Sequence, residues 1–235
     1  MRLPFLATTA LASTMLFLVP GAAQAFDWDG KYVGGVVGVI KSTGTFDWDL
    51  YNDFFTTHDS GTFEFSGLGV MAGVTSGINF HLDDKFVVGI EGDASLVWLR
   101  NSGSIDGDEY YGEFEEELNA LLTLRGRAGV LSDDEETYFY VTGGLAAGDV
   151  NASAYLSSDG VFDDPEAVTV SGWVFGLIGG IGVEHAIKED MTVKAEILGY
   201  ALGSLDGSGF AGKGDSFGTY HPAGIILRTG INFHF

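Results

Sequence analysis

Read two at a time, the last residues of the chain separate into two sets. Ile225, Leu227, Thr229, Ile231, Phe233 and Phe235 alternate with Gly224, Ile226, Arg228, Gly230, Asn232 and His234. A period of two places each set on its own face of a β-strand, one apolar, the other mostly small, polar or charged. The pattern recurs upstream. Leu68, Val70, Ala72, Val74, Ile78 and Phe80 alternate with Gly69, Met71, Gly73, Thr75, Gly77 and Asn79, and Phe86, Val88, Ile90, Ala94, Leu96 and Trp98 oppose Glu91, Asp93 and Ser95. Leu118, Ala120, Leu122, Leu124, Ala128 and Val130 oppose Glu117, Asn119, Thr123, Arg125 and Arg127, while Trp173, Phe175, Leu177, Ile181 and Val183 oppose Glu184. Val193, Ala195 and Ile197 oppose Lys194 and Glu196. Within each segment the charges keep to one parity.

Eight such segments are expected, near residues 30–40, 63–80, 85–98, 117–130, 137–148, 169–186, 191–203 and 219–235. Three short acidic turns, at 81–85, 132–136 and 187–190, alternate with four longer polar, Gly- and Asp-rich segments near 41–61, 99–116, 149–168 and 204–218. Short turns on one rim and long loops on the other predict an all-β fold, an eight-stranded antiparallel up-and-down transmembrane β-barrel. A soluble sandwich also alternates. Here, however, the charged face is rich in glycine, as a narrow lumen requires, and the apolar face ends in aromatics at both rims, as a membrane girdle does. Gly77-Ile78-Asn79-Phe80-His81 and Gly230-Ile231-Asn232-Phe233-His234 repeat the same five residues and place a Phe at the same interface.

Composition supports strands over helices. The chain has 36 glycines and four prolines, and its most apolar internal stretch, Val170 to Val183, contains five glycines. Those five would cost a helix roughly 4–5 kcal/mol relative to alanine. Cysteine is absent, which excludes disulfides, thiolate chemistry and Cys-based metal sites.

At the N-terminus Arg2 precedes an apolar run from Leu3 to Pro20, and Ala23-Gln24-Ala25 stands before Phe26. This predicts a secretory signal peptide over residues 1–25, cleaved to leave a barrel domain at 26–235, with an uncleaved anchor as the alternative. Loss of Arg2 leaves ten basic residues against 33 acidic ones, a formal charge of −23. That sign excludes nucleic acid as a partner.

Nine ionisable residues fall on the inward parity: Glu91, Asp93, Glu117, Arg125, Arg127, Glu184, Lys194, Glu196 and Arg228. Five acids and four bases nearly balance, as an interior of low dielectric demands. They are expected to form an ion-pair network that closes the lumen; a gated path for protons or small solutes is the alternative. No cofactor, metal or catalytic residue is expected. His221 lies near the outer end of the last segment with Ser and Asp in nearby loops, but nothing ties it to a base or an oxyanion donor. Asp106-Gly107-Asp108-Glu109 begins like a calcium loop, yet Tyr110 and Tyr111 stand where a ligand and a glycine belong. The long loops are acidic, with Asp47, Asp49, Asp53 and Asp59 in the first, Asp106, Asp108, Glu109, Glu113, Glu115 and Glu116 in the second, and Asp149, Asp159, Asp163, Asp164 and Glu166 in the third. They form a solvated face, or else bind divalent cations that bridge to lipopolysaccharide, or a basic partner.

Several motifs together resemble the eight-stranded outer-membrane β-barrel superfamily. They are Trp28-x-Gly30-x-Tyr32-x-Gly34, the Gly-Ile-Asn-Phe repeat, Gly89-Ile90-Glu91-Gly92-Asp93, Arg125-Gly126-Arg127-Ala128-Gly129 and the terminal Phe235. The resemblance covers the mature chain and is strongest to Opa-like porin-family surface proteins of Gram-negative bacteria, whose barrels are of the OmpA type. It implies residence in the outer membrane among phospholipid and lipopolysaccharide, and recognition of Phe233 and Phe235 by the barrel-assembly machinery. It also implies a surface and envelope-integrity role, with a narrow channel as the alternative and a lipid-modifying enzyme as a remote one. Because the chain stops at its last strand, a cell-wall tether of the OmpA kind is not expected. The oligomeric state stays open.

Overall fold

The computed structural model describes residues 26–52, 57–106, 111–157, 167–211 and 214–235, so the signal peptide with Ala23 and Ala25 lies outside the described residues. Among the described residues there is no helix. The strands are β1 (Gly30–Asn52), β2 (Thr57–His81), β3 (Phe86–Asp106), β4 (Tyr111–Leu131), β5 (Thr137–Ser157), β6 (Ala167–Lys188), β7 (Met191–Leu202), β8 (Leu205–Ala211) and β9 (Gly214–His234). Each pairs antiparallel with its neighbours, and β9 returns to β1, which closes the sheet.

Nine strands fill eight places. β7 and β8 lie in succession along β9, and from Ala201 to Leu205 four steps on one side face three on the other, Ala223 to Tyr220. An extra residue at Gly203–Ser204 thus interrupts one barrel strand with a bulge. The result is a closed eight-stranded antiparallel barrel.

Most strands are longer than the alternation suggests, β1 about twofold and β2 to β5 by about half, and they run far into the segments expected to be loops. About ten residues cross the apolar band. Beyond it the hydrogen-bonded ladder still satisfies the backbone, so the sheet continues after the lipid-facing pattern has ended.

Apolar side chains cover the outside, with Phe175 and Leu68 among the most exposed, and aromatic residues Phe80, Phe86, Phe139, Phe233 and Phe235 line the short-turn rim. Inside, packing is layered. At the short-turn end Phe26 and Trp28 fold into the mouth against Val87, Leu131, Tyr138 and Tyr140. Towards the long-loop end an apolar cluster including Ile40, Leu121, Ile178, Leu198 and Ile226 fills the lumen. The charged residues lie between the two.

Glycine makes room for this filling. Tyr32 on β1 stands opposite Gly77, Tyr140 on β5 opposite Gly182, and Tyr200 on β7 opposite Gly224. A Cβ on Gly77 or Gly182 would enter the facing tyrosine ring. Each large ring therefore lies flat over a bare backbone, a cross-strand pairing that packs a narrow barrel.

One expected register fails. β4 and β5 shift between Leu118 and Ala120, so Asn119 is an inserted residue and is exposed. Leu118, expected towards lipid, is buried inside. Parity reverses across a bulge because the extra residue turns every side chain beyond it to the opposite face.

Candidate functional site

The middle layer of the lumen contains four carboxylates, Glu91, Asp93, Glu184 and Glu196, and four cations, Arg125, Arg127, Lys194 and Arg228. All eight are buried. They come from β3, β4, β6, β7 and β9, each on the inward parity of its strand, so the barrel's closure converges them across the axis.

Glu91 is the hub. Its two oxygens are shared by Arg125, by Arg228 at 3.5 Å, by Arg127 at 3.4 Å and by Lys194 at 2.6 Å, and the Tyr32 hydroxyl donates to it at 2.7 Å. Arg125 also reaches Asp93 at 2.9 Å and Glu196 at 3.0 Å. Arg228 Nε donates to Glu196 at 2.7 Å, and its Nη2 lies 3.2 Å from Asp93. Glu196 and Arg228 are register partners, as are Glu91 and Arg125. Glu184 forms a second centre: Arg127 donates at 2.9 Å, Asn232 Nδ2 at 2.7 Å and the Thr192 hydroxyl also donates. The Arg127 guanidinium lies 4.9 Å from the Tyr32 centroid, 5.1 Å from Tyr138 and 4.9 Å from Tyr140, a partly aromatic coordination that suits a flat cation.

Glu117 does not join this set. The Asn119 bulge turns it outward, where it accepts from Arg100 at 2.7 Å, and Glu116 takes the inward position, with the Ser42 hydroxyl 3.3 Å away. Without Glu117 the middle layer has equal numbers of acids and bases, and the buried Glu116 lies apart from it beside Ser42. Tyr32, Thr192 and Asn232 were legible as inward by parity but carried no charge to mark them. Trp28, which lies in no alternating segment, donates its indole N–H to the Glu135 carbonyl at 2.8 Å.

Other singled-out residues lie apart. Phe233 and Phe235 point outward at the short-turn rim, and the Phe235 backbone exchanges hydrogen bonds with Lys31. His221 is exposed on the outside of β9 opposite Thr45. Of the acidic residues expected in loops, Asp47, Asp49, Asp59, Asp106, Glu113, Glu115, Glu116 and Asp149 lie on strands, whereas Asp53, Asp108, Glu109, Asp159, Asp163, Asp164 and Glu166 lie outside the described residues. Asp27, Asp29 and His81 bring three potential metal-ligand atoms within 4.8 Å at the short-turn rim, but Asp29 already accepts the His81 backbone N–H. In the neighbouring turns a hydrogen bond from Lys85 to Asp133 holds that carboxyl below its usual range and raises the lysine.

Over residues 9–231 the sequence matches the outer membrane protein beta-barrel domain. The chain belongs to that family. The 31 kDa outer-membrane immunogenic proteins of Brucella melitensis biotype 1 and Brucella suis biovar 1 are each 28% identical to it over 240 residues, with 97% of this chain and 95% of each relative covered. Among solved structures, the outer membrane protein OprG from Pseudomonas aeruginosa is 13% identical, with a TM-score of 0.48 over 90% of this chain and 99% of that one. The protein is thus an outer-membrane β-barrel, and its short-turn rim faces the periplasm by the rule for such barrels.

Proposed function

We propose that this outer-membrane barrel is a non-catalytic structural and surface component of the envelope, with its lumen closed by charge pairs. The observation that carries the reading is the balance of the middle layer, four buried acids against four buried bases, each within ion-pair distance of a partner. Such a layer leaves no net fixed charge to draw an ion inward. Opening it would break buried pairs, at about 3–5 kcal/mol for each partner removed. Apolar packing above and the Trp28 cluster below support the same reading. The printed names of the Brucella relatives describe immunogenic outer-membrane proteins, which fits a surface role for the long-loop rim.

The test is single-channel recording from purified, refolded protein in planar bilayers. Wild type is expected to give no resolved conductance steps and Arg228→Ala at most a leak. Steady ohmic channels from wild type would replace this reading with a narrow channel. A deletion strain should become detergent-sensitive, and expression of wild-type protein should restore resistance.

A further inference from the structure

Where the few cations sit points to a lipid contact. Four of the ten basic residues in the mature chain are locked in the lumen, and Lys31, Lys85 and Lys188 lie at the periplasmic rim. Among the described residues, Lys41 and Arg100 are the basic pair that faces outward at the opposite boundary of the apolar band.

They share one row. Lys41 on β1 pairs with Leu68 on β2, and Arg100 lies two residues beyond the Val70–Trp98 pair of β2 and β3, which carries the register to Leu68 from the other side. Strands are spaced about 4.8 Å apart, so the two cations flank Leu68 at about 10 Å from one another. Leu68 is 73% exposed, and directly below it Val70, Val39, Leu96 and Trp98 form a continuous exposed apolar strip. The Arg100 side chain is 70% exposed despite its bond to Glu117.

We propose that this face binds the phosphorylated sugar headgroup of lipid A in the outer leaflet, Lys41 and Arg100 taking the phosphates and the strip below them an acyl chain. An amphiphile with anionic groups at the boundary and hydrocarbon beneath matches the pattern in both charge and polarity. A free anion would leave the apolar strip unused, and the strongly negative chain repels anions elsewhere. The contact does not depend on whether the lumen conducts.

Native mass spectrometry of the refolded barrel in detergent, mixed with diphosphorylated lipid A in EDTA, reads the contact directly. Wild type, Lys41→Arg and the periplasmic-rim control Lys31→Glu should retain lipid A. Lys41→Glu/Arg100→Glu should lose about tenfold in retention, the scale of one to two kcal/mol. Dephosphorylated lipid A should bind wild type no better than the intact lipid binds the double variant. Heat-modifiable gel mobility establishes folding, and Lys41→Gln/Arg100→Gln carries the comparison if charge reversal prevents it. Equal retention by wild type and folded double variant would overturn the site. Loss of wild-type retention in EDTA would also overturn it, in favour of divalent bridging by the acidic rim.

Discussion

Arg228 and Glu196 stand directly opposite one another on β9 and β7, and the guanidinium Nε donates to the carboxylate at 2.7 Å. Glu184, on β6, is engaged instead by Arg127, Asn232 and Thr192. Arg228→Ala should therefore destabilise the barrel by roughly 3–5 kcal/mol by stranding carboxylates. Adding Glu196→Ala should recover part of that loss, whereas adding Glu184→Ala should deepen it by an independent amount. Urea unfolding in lipid vesicles measures both cycles. Coupling to Glu184 in place of Glu196 would contradict the register of β6, β7 and β9.

The bulge at Asn119 makes an opposite forecast for two adjacent residues. Leu118 is buried in the upper lumen, so Leu118→Ala should cost about 2–5 kcal/mol. Asn119 is exposed, and Asn119→Ala should stay within about 0.5 kcal/mol. Were the simple alternation to persist through this segment, Asn119 would be the sensitive position.

Parity revealed the barrel and most of its lumen because lipid outside and tight packing inside impose the same period of two. It failed at Glu117 because a bulge leaves no mark in hydrophobicity: Leu118, Asn119 and Ala120 read as ordinary alternation. It shortened most strands because residues beyond the membrane, such as Asp47 on β1 and Glu113 on β4, pair through backbone and need no apolar face. The aromatic floor was hidden for another reason. Phe26 and Trp28 precede the first strand, and their partners are distant in sequence: Trp28 bonds to the Glu135 carbonyl, 107 residues away, and Phe26 packs on Trp28 and His234.

A glycine prediction follows from Tyr32, whose hydroxyl binds Glu91 and whose ring lies over Gly77. Gly77→Ala would displace the ring from Glu91 and from the Arg127 guanidinium, a loss of about 1–3 kcal/mol of the overpacking kind. Gly35 faces outward with its nearest obstacle, the Gly73 carbonyl, at 3.8 Å, so Gly35→Ala should be nearly neutral. Comparable losses at both sites would mean that strand propensity, rather than the ring, sets the cost.

Trp28 should be worth more than its position outside the strands suggests. It is fully buried and packs against Phe26 at a ring separation of 4.8 Å. Trp28→Ala should cost about 3–5 kcal/mol, and Trp28→Phe, which keeps the ring but loses the hydrogen bond to Glu135, about 1 kcal/mol or somewhat more. Thermal unfolding of the refolded barrel distinguishes them. A mature protein shown by mass spectrometry to begin well after Phe26 would remove the floor altogether.

The last prediction separates assembly from stability at the C-terminus. The Phe235 side chain is 77% exposed at the periplasmic rim, yet its backbone N–H donates to the Lys31 carbonyl at 2.9 Å and its carbonyl accepts from Lys31 at 3.3 Å. Deleting Phe235 would remove the ring and the closing hydrogen bonds together, and so could not tell a recognition signal from a structural clasp. Phe235→Ala keeps the backbone pair. If the terminal aromatic is read during assembly, Phe235→Ala should sharply lower the yield of folded barrel in cell outer membranes, while the same variant refolded in lipid vesicles should unfold at nearly the wild-type urea concentration. The change there is limited to one lipid-facing side chain, about 1.5–3 kcal/mol at most for its full transfer and less at the interface. Equal falls in cellular yield and in refolded stability would assign Phe235 to anchoring alone, and unchanged cellular yield would remove it from assembly.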